Sequence, residues 1–179
     1  MTELGSVYGG ALYELAASEG LGDTILAQMS ALEQGFAREP DYLRLLSVPT
    51  LGKAERCQIL DDSFAGKIHP YVLNFLKILT QRGYARQFPQ CSEAYRERYN
   101  QDHGILPVTA VTALPLTAEQ SARLTGKLEQ ITGKTIALTN RVDEKCLGGV
   151  RLDFDGKRVE DTVALRLQNL RKQLKSTVL

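Results

Sequence analysis

The sequence predicts an α+β protein, in which an N-terminal six-helix bundle precedes a small C-terminal α/β domain with a mixed or antiparallel sheet. Apolar residues recur at helical spacing up to about Gly104. Segments rich in Val and Thr, which are typical of strands, follow only beyond that point. The predicted domains are therefore a helical bundle over residues 1–104 and an α+β domain over residues 105–179.

Capping residues, prolines and glycines mark the six predicted helices. The first ends before Gly20 and Gly22, and Asp23 is a typical N-cap for the second, which runs to about Phe36. His69 precedes Pro70 and is expected at a helix start rather than in a catalytic site. The other four predicted segments are Pro40 to Leu46, Thr50 to about Phe64, Pro70 to Gly83, and Arg86 or Pro89 to about Asn100.

The second part is predicted to follow the order β, α, β, β, α. Thr117 is the expected N-cap of its first helix, with Gln120 in the first turn, and Gly133 is the expected C-cap. Asp155 and Gly156 form a tight-turn signal. The predicted elements are strand Ile105 to Ala113, helix Leu116 to Ile131, strands Thr135 to Val142 and Gly149 to Phe154, and helix Val159 to Leu174.

Composition excludes several classes of protein. The chain has 179 residues with 43% hydrophobic and 24% charged side chains, which is typical of a globular protein. A formal net charge of +1 and the lack of Trp argue against a nucleic-acid partner. No apolar stretch approaches the length of a membrane span, and no base precedes Arg38, so neither a leader peptide nor direct membrane insertion is expected.

No motif predicts catalysis, a cofactor, a metal or a small-molecule substrate. The segment Thr132 to Thr135 ends like a phosphate-binding loop, but position 128 is Leu, and the segment leads from a helix into a strand. The two histidines do not lie at ligand spacing from a cysteine or from each other. The three cysteines, Cys57, Cys91 and Cys146, are interpreted as free thiols of a cytosolic protein.

Two helices carry features that a simple bundle does not require. Gly9 and Gly10 lie in the middle of the first helix, where each costs about 1 kcal/mol relative to Ala, so close approach of another backbone is expected. The fifth helix is apolar almost all round between Tyr71 and Leu79, which indicates either a central core helix or a helix that also binds a partner. The first 37 residues contain five acids and no base, which predicts either a surface for a basic partner or a solvated face.

These same segments resemble one family. Residues 7–16 resemble the opening helix of the ATP synthase delta subunit, the bacterial relative of the mitochondrial oligomycin-sensitivity-conferring protein, and residues 72–76 resemble its fifth helix. Residues 138–150 are similar to the family signature, a hydrophobic strand followed by V-D-x-x-L-I-G-G. The signature positions are Val142, Asp143, Gly148 and Gly149, and Cys146 stands where an aliphatic residue is usual.

The resemblance implies a non-catalytic stator connector of the proton-translocating rotary ATP synthase. Its helical part would bind the N-terminal helix of an alpha subunit, and its C-terminal part would contact the C-terminal region of the b subunits. It would resist rotor torque without a cofactor, on the cytoplasmic side of the inner or thylakoid membrane, and would touch the membrane only through the complex. The glycines of the signature are expected to serve backbone geometry rather than a ligand.

The resemblance also places the alpha-binding groove between the first and fifth helices. The residues expected to line or support it are Tyr8, Ala11, Leu15, Phe75, Leu76 and Leu79. Two other functions remain open from the residues alone. One is an unrelated helical adapter that binds an amphipathic helix, and the other is an enzyme with a concealed site.

Overall fold

The computed structural model describes residues 3–48 and 51–167. Contacts divide the chain into two compact units, Met1–Tyr99 and Asn100–Leu179, referred to below as the helical unit and the sheet unit. The predicted end of the last helix at Leu174 lies outside the described residues, as does Thr50. The helix that Thr50 was expected to cap begins at Lys53, with Gly52 as its N-cap. The predicted N-cap Asp23 lies instead in the first turn of its helix, which begins at Gly22.

Among the described residues, six α-helices and a short 3₁₀ turn precede the first strand. Pro occupies the first turn of the third and fifth helices, where its missing N–H costs nothing. The His69 Nδ1 accepts a hydrogen bond from the Tyr71 N–H at 3.3 Å, which confirms His69 as a helix N-cap. The helices are α1 (Glu3–Ser18), α2 (Gly22–Arg38), α3 (Pro40–Leu45), α4 (Lys53–Phe64), α5 (Pro70–Arg82) and α6 (Phe88–Asp102), with the 3₁₀ turn at Ala85–Gln87.

One apolar core joins these helices. Its centre is aromatic, because the ring of Phe36 packs edge-to-face against Phe88 and Phe64, at centroid distances of 5.1 and 6.2 Å. Ile25, Met29, Leu60 and Val72 are fully buried around these rings. The core therefore contains side chains from α1, α2, α4, α5 and α6, together with Leu46 just after α3.

Gly9 allows α1 and α6 to cross at close range. A Cβ at Gly9 would lie 2.3 Å from the Cys91 carbonyl oxygen, a distance that real Cβ atoms do not reach. At Gly10 the nearest atom to such a Cβ is the Arg98 Nε at 4.0 Å. The expected close backbone approach thus occurs at Gly9 and not at Gly10, and the backbone that uses it is α6 of this same chain.

The sheet unit contains a four-stranded mixed sheet. The strand order is β2-β1-β3-β4, with β1 parallel to β2 and antiparallel to β3, and with β3 antiparallel to β4. Val108, Ala110, Val111 and Ile136 are buried. The elements are β1 (Ile105–Thr112), α7 (Ala118–Thr132), β2 (Thr135–Val142), a 3₁₀ turn (Glu144–Cys146), β3 (Gly149–Phe154) and β4 (Lys157–Thr162). This arrangement confirms the α+β class.

The hydrogen bonds and backbone angles of the sheet unit confirm its predicted helix caps and tight turn. The Thr117 hydroxyl accepts the Gln120 N–H at 3.2 Å, and the Gln120 side-chain oxygen accepts the Thr117 N–H at 2.9 Å, which confirms the predicted cap. Gly133 ends α7 in the left-handed region, with φ 67°. Asp155 and Gly156 have φ of 47° and 68°, as a two-residue hairpin turn requires.

The prediction of a last helix beginning at Val159 is wrong. Residues Lys157–Thr162 form β4, because the turn at Asp155 and Gly156 folds them back onto β3, where Val159 lies opposite Leu152. The helix begins after Thr162, and residues 163–167 are helical. The buried Thr162 hydroxyl accepts the Leu165 N–H at 3.2 Å and serves as the N-cap.

Candidate functional site

In the helical unit, α1 has one buried face and one exposed apolar face. Leu12, Tyr13 and Ala16 belong to the core. On the other side, the side chains at every fourth position lie in solvent. Val7 is 62% exposed, Ala11 is exposed and Leu15 is 43% exposed. We refer to Val7, Ala11 and Leu15 as the α1 row.

Most apolar residues of α5 belong to the core. Phe75, Leu76 and Leu79 are buried, so they can support a surface but present almost none of their own area to a partner. Ile78 is the apolar residue of α5 that faces outward, with 46% of its surface exposed. The almost wholly apolar sequence of this helix is therefore explained by its central position, with Ile78 as the exception.

The two helices are linked at one end of α5. The Tyr8 ring packs edge-to-face against Tyr84, which follows α5, at a centroid distance of 6.2 Å. Tyr8 is half-buried by this contact. Of the six residues predicted for the groove, the structure places Tyr8 between surface and core, Ala11 and Leu15 on the surface, and Phe75, Leu76 and Leu79 inside.

The acidic side chains of the first two helices divide into two sets. Glu33 forms an ion pair with Arg96 at 2.7 Å, and Asp23 accepts a hydrogen bond from the Tyr99 hydroxyl, so both hold α2 against α6. Glu3, Glu14 and Glu19 are exposed and form no ion pair within the described part of the chain. Only this second set is free to meet a basic partner.

An apolar pocket of about 430 Å³ opens at another place in the helical unit. It lies among α2, α3, the end of α4 and the residues after it. Phe36, Tyr42 and Phe64 supply its aromatic wall, and Glu39 and Lys67 also line it. Sequence reasoning missed this pocket, because its wall comes from segments that are far apart along the chain.

In the sheet unit, the signature residues form a tight connection from β2 to β3. The Asp143 carboxylate accepts the Lys145 N–H at 3.1 Å and caps the 3₁₀ turn, in which Cys146 is buried. Gly149 has φ 80°, and a Cβ there would lie 2.2 Å from the Asp161 carbonyl oxygen. The geometry supports a structural role for Gly149, because both its conformation and its closeness to β4 exclude a side chain.

Leu147 in the same connection has an unusual conformation. Its φ of 59° lies in the left-handed region, which costs a non-glycine residue about 1–2 kcal/mol. Its side chain is 66% exposed. Val142, at the end of β2, is also exposed. The signature segment thus contains two kinds of residue. Gly149 packs against the backbone of β4, whereas the side chains of Val142 and Leu147 are exposed.

Asn140 fixes the loop between β1 and α7, a role that the sequence did not indicate. Its side-chain nitrogen donates to the Ala110 carbonyl and to the Thr112 hydroxyl, both at 2.9 Å. Its side-chain oxygen accepts the Leu116 N–H at 2.9 Å. These three hydrogen bonds hold the start of α7 over β2.

Two buried titratable groups of α6 have raised pKa values. Burial raises the pKa of the Cys91 thiol to about 11, and burial also raises the pKa of Tyr95, whose hydroxyl donates to the Gly22 carbonyl at 3.0 Å. Within residues 3–48 and 51–167, no three His, Cys, Asp or Glu side chains form a group that could hold a metal ion. In those ranges, no helix has the length and hydropathy needed to cross a membrane.

Comparison with known proteins gives one consistent result. The family model described as ATP synthase delta (OSCP) subunit matches residues 4–174. A relative named ATP synthase subunit delta, from Lactobacillus gasseri, is 32% identical over 173 residues, covering 96% of this chain and 94% of the relative. One of the same name from Exiguobacterium sp. is 30% identical over 167 residues, covering 93% and 94%.

A solved structure shares the fold. A chain in the cryo-EM structure of the Toxoplasma gondii mitochondrial ATP synthase hexamer superposes with a TM-score of 0.76 at 16% identity, covering 97% of this chain and 98% of that one. These matches do not favour an unrelated helical adapter. This chain belongs to the ATP synthase delta (OSCP) subunit family, a structural component of the peripheral stalk rather than a catalytic subunit.

Proposed function

We propose that this chain connects the catalytic head of the rotary ATP synthase to its peripheral stalk. The six helices act as one bundle that binds the N-terminal helix of an alpha subunit, and the sheet unit contacts the C-terminal region of the b subunits. The connector holds the head against rotor torque by binding alone. It works at the cytoplasmic side of the inner or thylakoid membrane and reaches the membrane only through the complex.

One observation carries the assignment of the head-binding surface. The α1 row and Ile78 expose apolar side chains on α1 and α5, while most of the large apolar residues of both helices belong to the core. An amphipathic helix binds by placing apolar residues at three- and four-residue spacing against such a surface. Phe75, Leu76 and Leu79 are buried, so in this proposal they support the fold of the helices rather than contact the partner.

Electrostatics would guide the encounter. Glu14 lies beside the α1 row and Glu19 follows α1, and both are exposed. Exposed charges at the rim of an interface raise the association rate more than the affinity. We therefore expect Glu14→Gln to slow binding of an alpha N-terminal peptide and to reduce its salt dependence, with little change in the dissociation rate.

The surface is tested by two matched substitutions on one helix. Ala11 and Ala17 are both exposed, and six residues of helix separate them by about 120° around the axis. Ala11→Asp places a charge within the α1 row, whereas Ala17→Asp places it outside. Titration with a synthetic alpha N-terminal peptide should show about a tenfold or greater loss of affinity for Ala11→Asp only.

A substitution in the core distinguishes a residue that supports the binding surface from a residue that contacts the peptide. Phe75→Ala removes a buried ring and should lower the free energy of unfolding by about 3 kcal/mol or more. Its melting curve must accompany the peptide titration, since loss of affinity there can follow from loss of structure. Equal affinity of the parent, Ala11→Asp and Ala17→Asp would show that the peptide binds elsewhere.

The bundle itself is tested by a fragment. Residues 1–104 include the whole of α6 and every residue of the helical core. The fragment should melt cooperatively and bind the alpha peptide as tightly as the full chain does, while the full chain alone binds the soluble part of the b subunits. A fragment without a cooperative transition would contradict an independent bundle.

A further inference from the structure

The two edges of the sheet differ in how they are protected. Strand β4 carries four charged side chains among its six residues, Lys157, Arg158, Glu160 and Asp161. Strand β2, at the other edge, has eight residues with Arg141 as its one charge, and it has no Pro. Proteins protect free edges with charges, prolines or bulges to prevent pairing with another chain. Of the two edge strands, as the described residues 3–48 and 51–167 form them, β4 alone has this protection.

Hydrogen bonds at the two ends of β2 show which backbone groups face the open edge. The Thr135 N–H donates to the Gly104 carbonyl at 3.1 Å, and the Asp143 N–H donates to the Thr112 carbonyl at 2.8 Å. In a parallel pair every second residue bonds to the neighbouring strand, so the odd-numbered positions of β2 bond to β1. Leu138, Asn140 and Val142 therefore turn N–H and C=O groups outward.

A recess lies beside this edge. Small residues of α7, together with Leu138 and Asn140, line a pocket of about 550 Å³ between α7 and β2. A Cβ added at Gly126 would meet no atom within 4 Å. The residues of α7 that line the recess are Ser121, Ala122, Thr125, Gly126 and Glu129. The recess gives room for side chains of a strand placed next to β2.

The two faces of β2 define the chemistry of such a strand. Leu138 faces the recess, so an added strand would direct apolar side chains toward α7. Thr139 and Arg141 lie on the opposite face and are exposed. Arg141 forms no ion pair with any residue that the structure describes, so a carboxylate placed across from it would complete a cross-strand pair.

We propose that β2 accepts an added strand from the C-terminal region of a b subunit. The segment is extended and spans about five residues, enough to pair with the outward groups of Leu138, Asn140 and Val142. It alternates apolar and polar side chains and carries a carboxylate opposite Arg141. A β2 strand of a second copy has no acidic residue to offer there. The inference rests on the proposed function, because that function supplies the partner.

Amide hydrogen exchange of the full chain, followed by NMR with and without the purified soluble part of the b subunits, tests the pairing directly. In the free protein the amides of Leu138, Asn140 and Val142 should exchange quickly, whereas that of Thr139 is already protected by β1. Binding should slow exchange of the three outward amides by about tenfold or more. The amides of β4 should be unaffected.

Two substitutions at neighbouring positions of α7 test the recess. Gly126→Leu fills it and should not lower the melting temperature, since Leu is the better helix former and the site is open. Lys127→Leu adds the same side chain at an exposed position. We expect about a tenfold weaker binding of the soluble b subunits for Gly126→Leu and no change for Lys127→Leu. Arg141→Glu should also weaken binding.

The outcomes separate this inference from the proposed function. Binding of the b subunits without slower exchange at Leu138, Asn140 and Val142 would overturn strand addition and leave the connector function intact. Failure to bind both the b subunits and the alpha peptide would overturn the connector function itself. Protection that appears without b subunits and grows with protein concentration would identify a second copy as the occupant, and so would overturn the proposed partner.

Discussion

The helical unit and the sheet unit depend on different parts of the chain for their structure. The helical unit buries large side chains, among them Phe88, Tyr95, Ile25 and Met29. In the described part of the sheet unit the buried residues are smaller, and Ala110, Thr112, Cys146 and Thr162 are among them. Burial of apolar area therefore stabilises the first unit strongly, while hydrogen bonds and turn geometry contribute a larger share in the second.

In each unit one glycine lies so close to a carbonyl oxygen that a Cβ cannot fit, and a comparison of Gly9 with Gly149 sharpens this contrast. Gly9 has ordinary helical dihedral angles, so only the closeness of α6 excludes a side chain. Gly149 combines the same closeness, to β4, with a left-handed φ of 80°. A side chain at Gly149 therefore costs free energy both through its contact with β4 and through its left-handed φ, whereas a side chain at Gly9 has only the cost of contact. We therefore expect Gly149 to tolerate substitution less well than Gly9.

The largest effect is expected for Gly149→Val. A branched side chain there must adopt a left-handed φ and displace the Asp161 carbonyl, which together cost about 3 kcal/mol or more. Urea unfolding followed by NMR should show loss of the sheet unit while the signals of the helical unit persist. Binding of the alpha peptide by the full-length variant should stay the same, because the helical unit does not contain this residue.

Gly133 provides the matched control for that prediction. It has φ 67°, and a Cβ there would meet no atom within 4 Å, so Gly133→Ala measures the conformational cost alone. Gly149→Ala should be clearly more destabilising than Gly133→Ala, because only Gly149 lies against a backbone. Equal effects would remove the close approach to β4 from the explanation and would reopen a binding role for the signature glycine.

The next largest effect is expected for Gly9→Ala. The added methyl group would lie 2.3 Å from the Cys91 oxygen, so α1 and α6 must separate, at a cost of about 2 kcal/mol. Gly10→Ala should instead stabilise the protein by about 0.5–1 kcal/mol, since the nearest atom to the added methyl group is the Arg98 Nε, at an ordinary contact distance of 4.0 Å. Thermal melting compares the two variants. A Gly9→Ala variant as stable as Gly10→Ala would show that the crossing adapts freely.

Alkaline pH should weaken the helical unit selectively. Burial raises the pKa of Cys91 from its ordinary value of 9.0 to about 11, so the folded state binds this proton more tightly than the unfolded state. The resulting stability is complete below pH 9.0 and is lost as the pH rises to about 11, a change of about 1–3 kcal/mol. The free energy of unfolding in urea, measured from pH 9.0 to about 11, should lack this component of its pH dependence in Cys91→Ala.

Acid should act on the sheet unit, with the smallest effect. Arg158 donates a hydrogen bond to Asp153 at 2.8 Å and lowers the pKa of this carboxyl below its ordinary value of 3.8. The contribution is therefore present at neutral pH and is lost as the pH falls below 3.8. Because Arg158 is exposed, water screens its attraction to the half-buried Asp153, so Asp153→Asn should cause only a slight loss of the free energy of unfolding at neutral pH and a flatter acid limb. A steeper acid limb would contradict this assignment.

Much of the fold could be predicted because its signals are local. Pro70, Thr117 and Gly133 mark helix ends through their own backbone and side-chain chemistry, and the structure confirms each. The missed strand β4 shows the limit of such signals. Val159 lies in a segment compatible with a helix, and only pairing with Leu152 across the hairpin makes it a strand. The sequence indicated the turn at Asp155, but the residues after it form a strand only because they pair with β3.

The candidate surfaces were less predictable than the fold. The sequence identified α1 and α5 as unusual, and it placed Ala11 and Phe75 in one group although one is exposed and the other buried. Helical periodicity shows that a helix has an apolar face, but a helix that is apolar almost all round does not show which side is covered. Burial by neighbouring helices decides this, which is why Ile78 was not among the predicted residues.

The sequence by itself determined the class of the protein, the order of its helices and most strands, and the family signature, because these depend on neighbouring residues or on short spacings. The tertiary structure alone decided that Gly9 packs on Cys91, that Asn140 holds the loop before α7, and that β2 is the unprotected edge. These features join residues that lie far apart along the chain. Their free energies depend on distances and directions that exist only once the chain has folded.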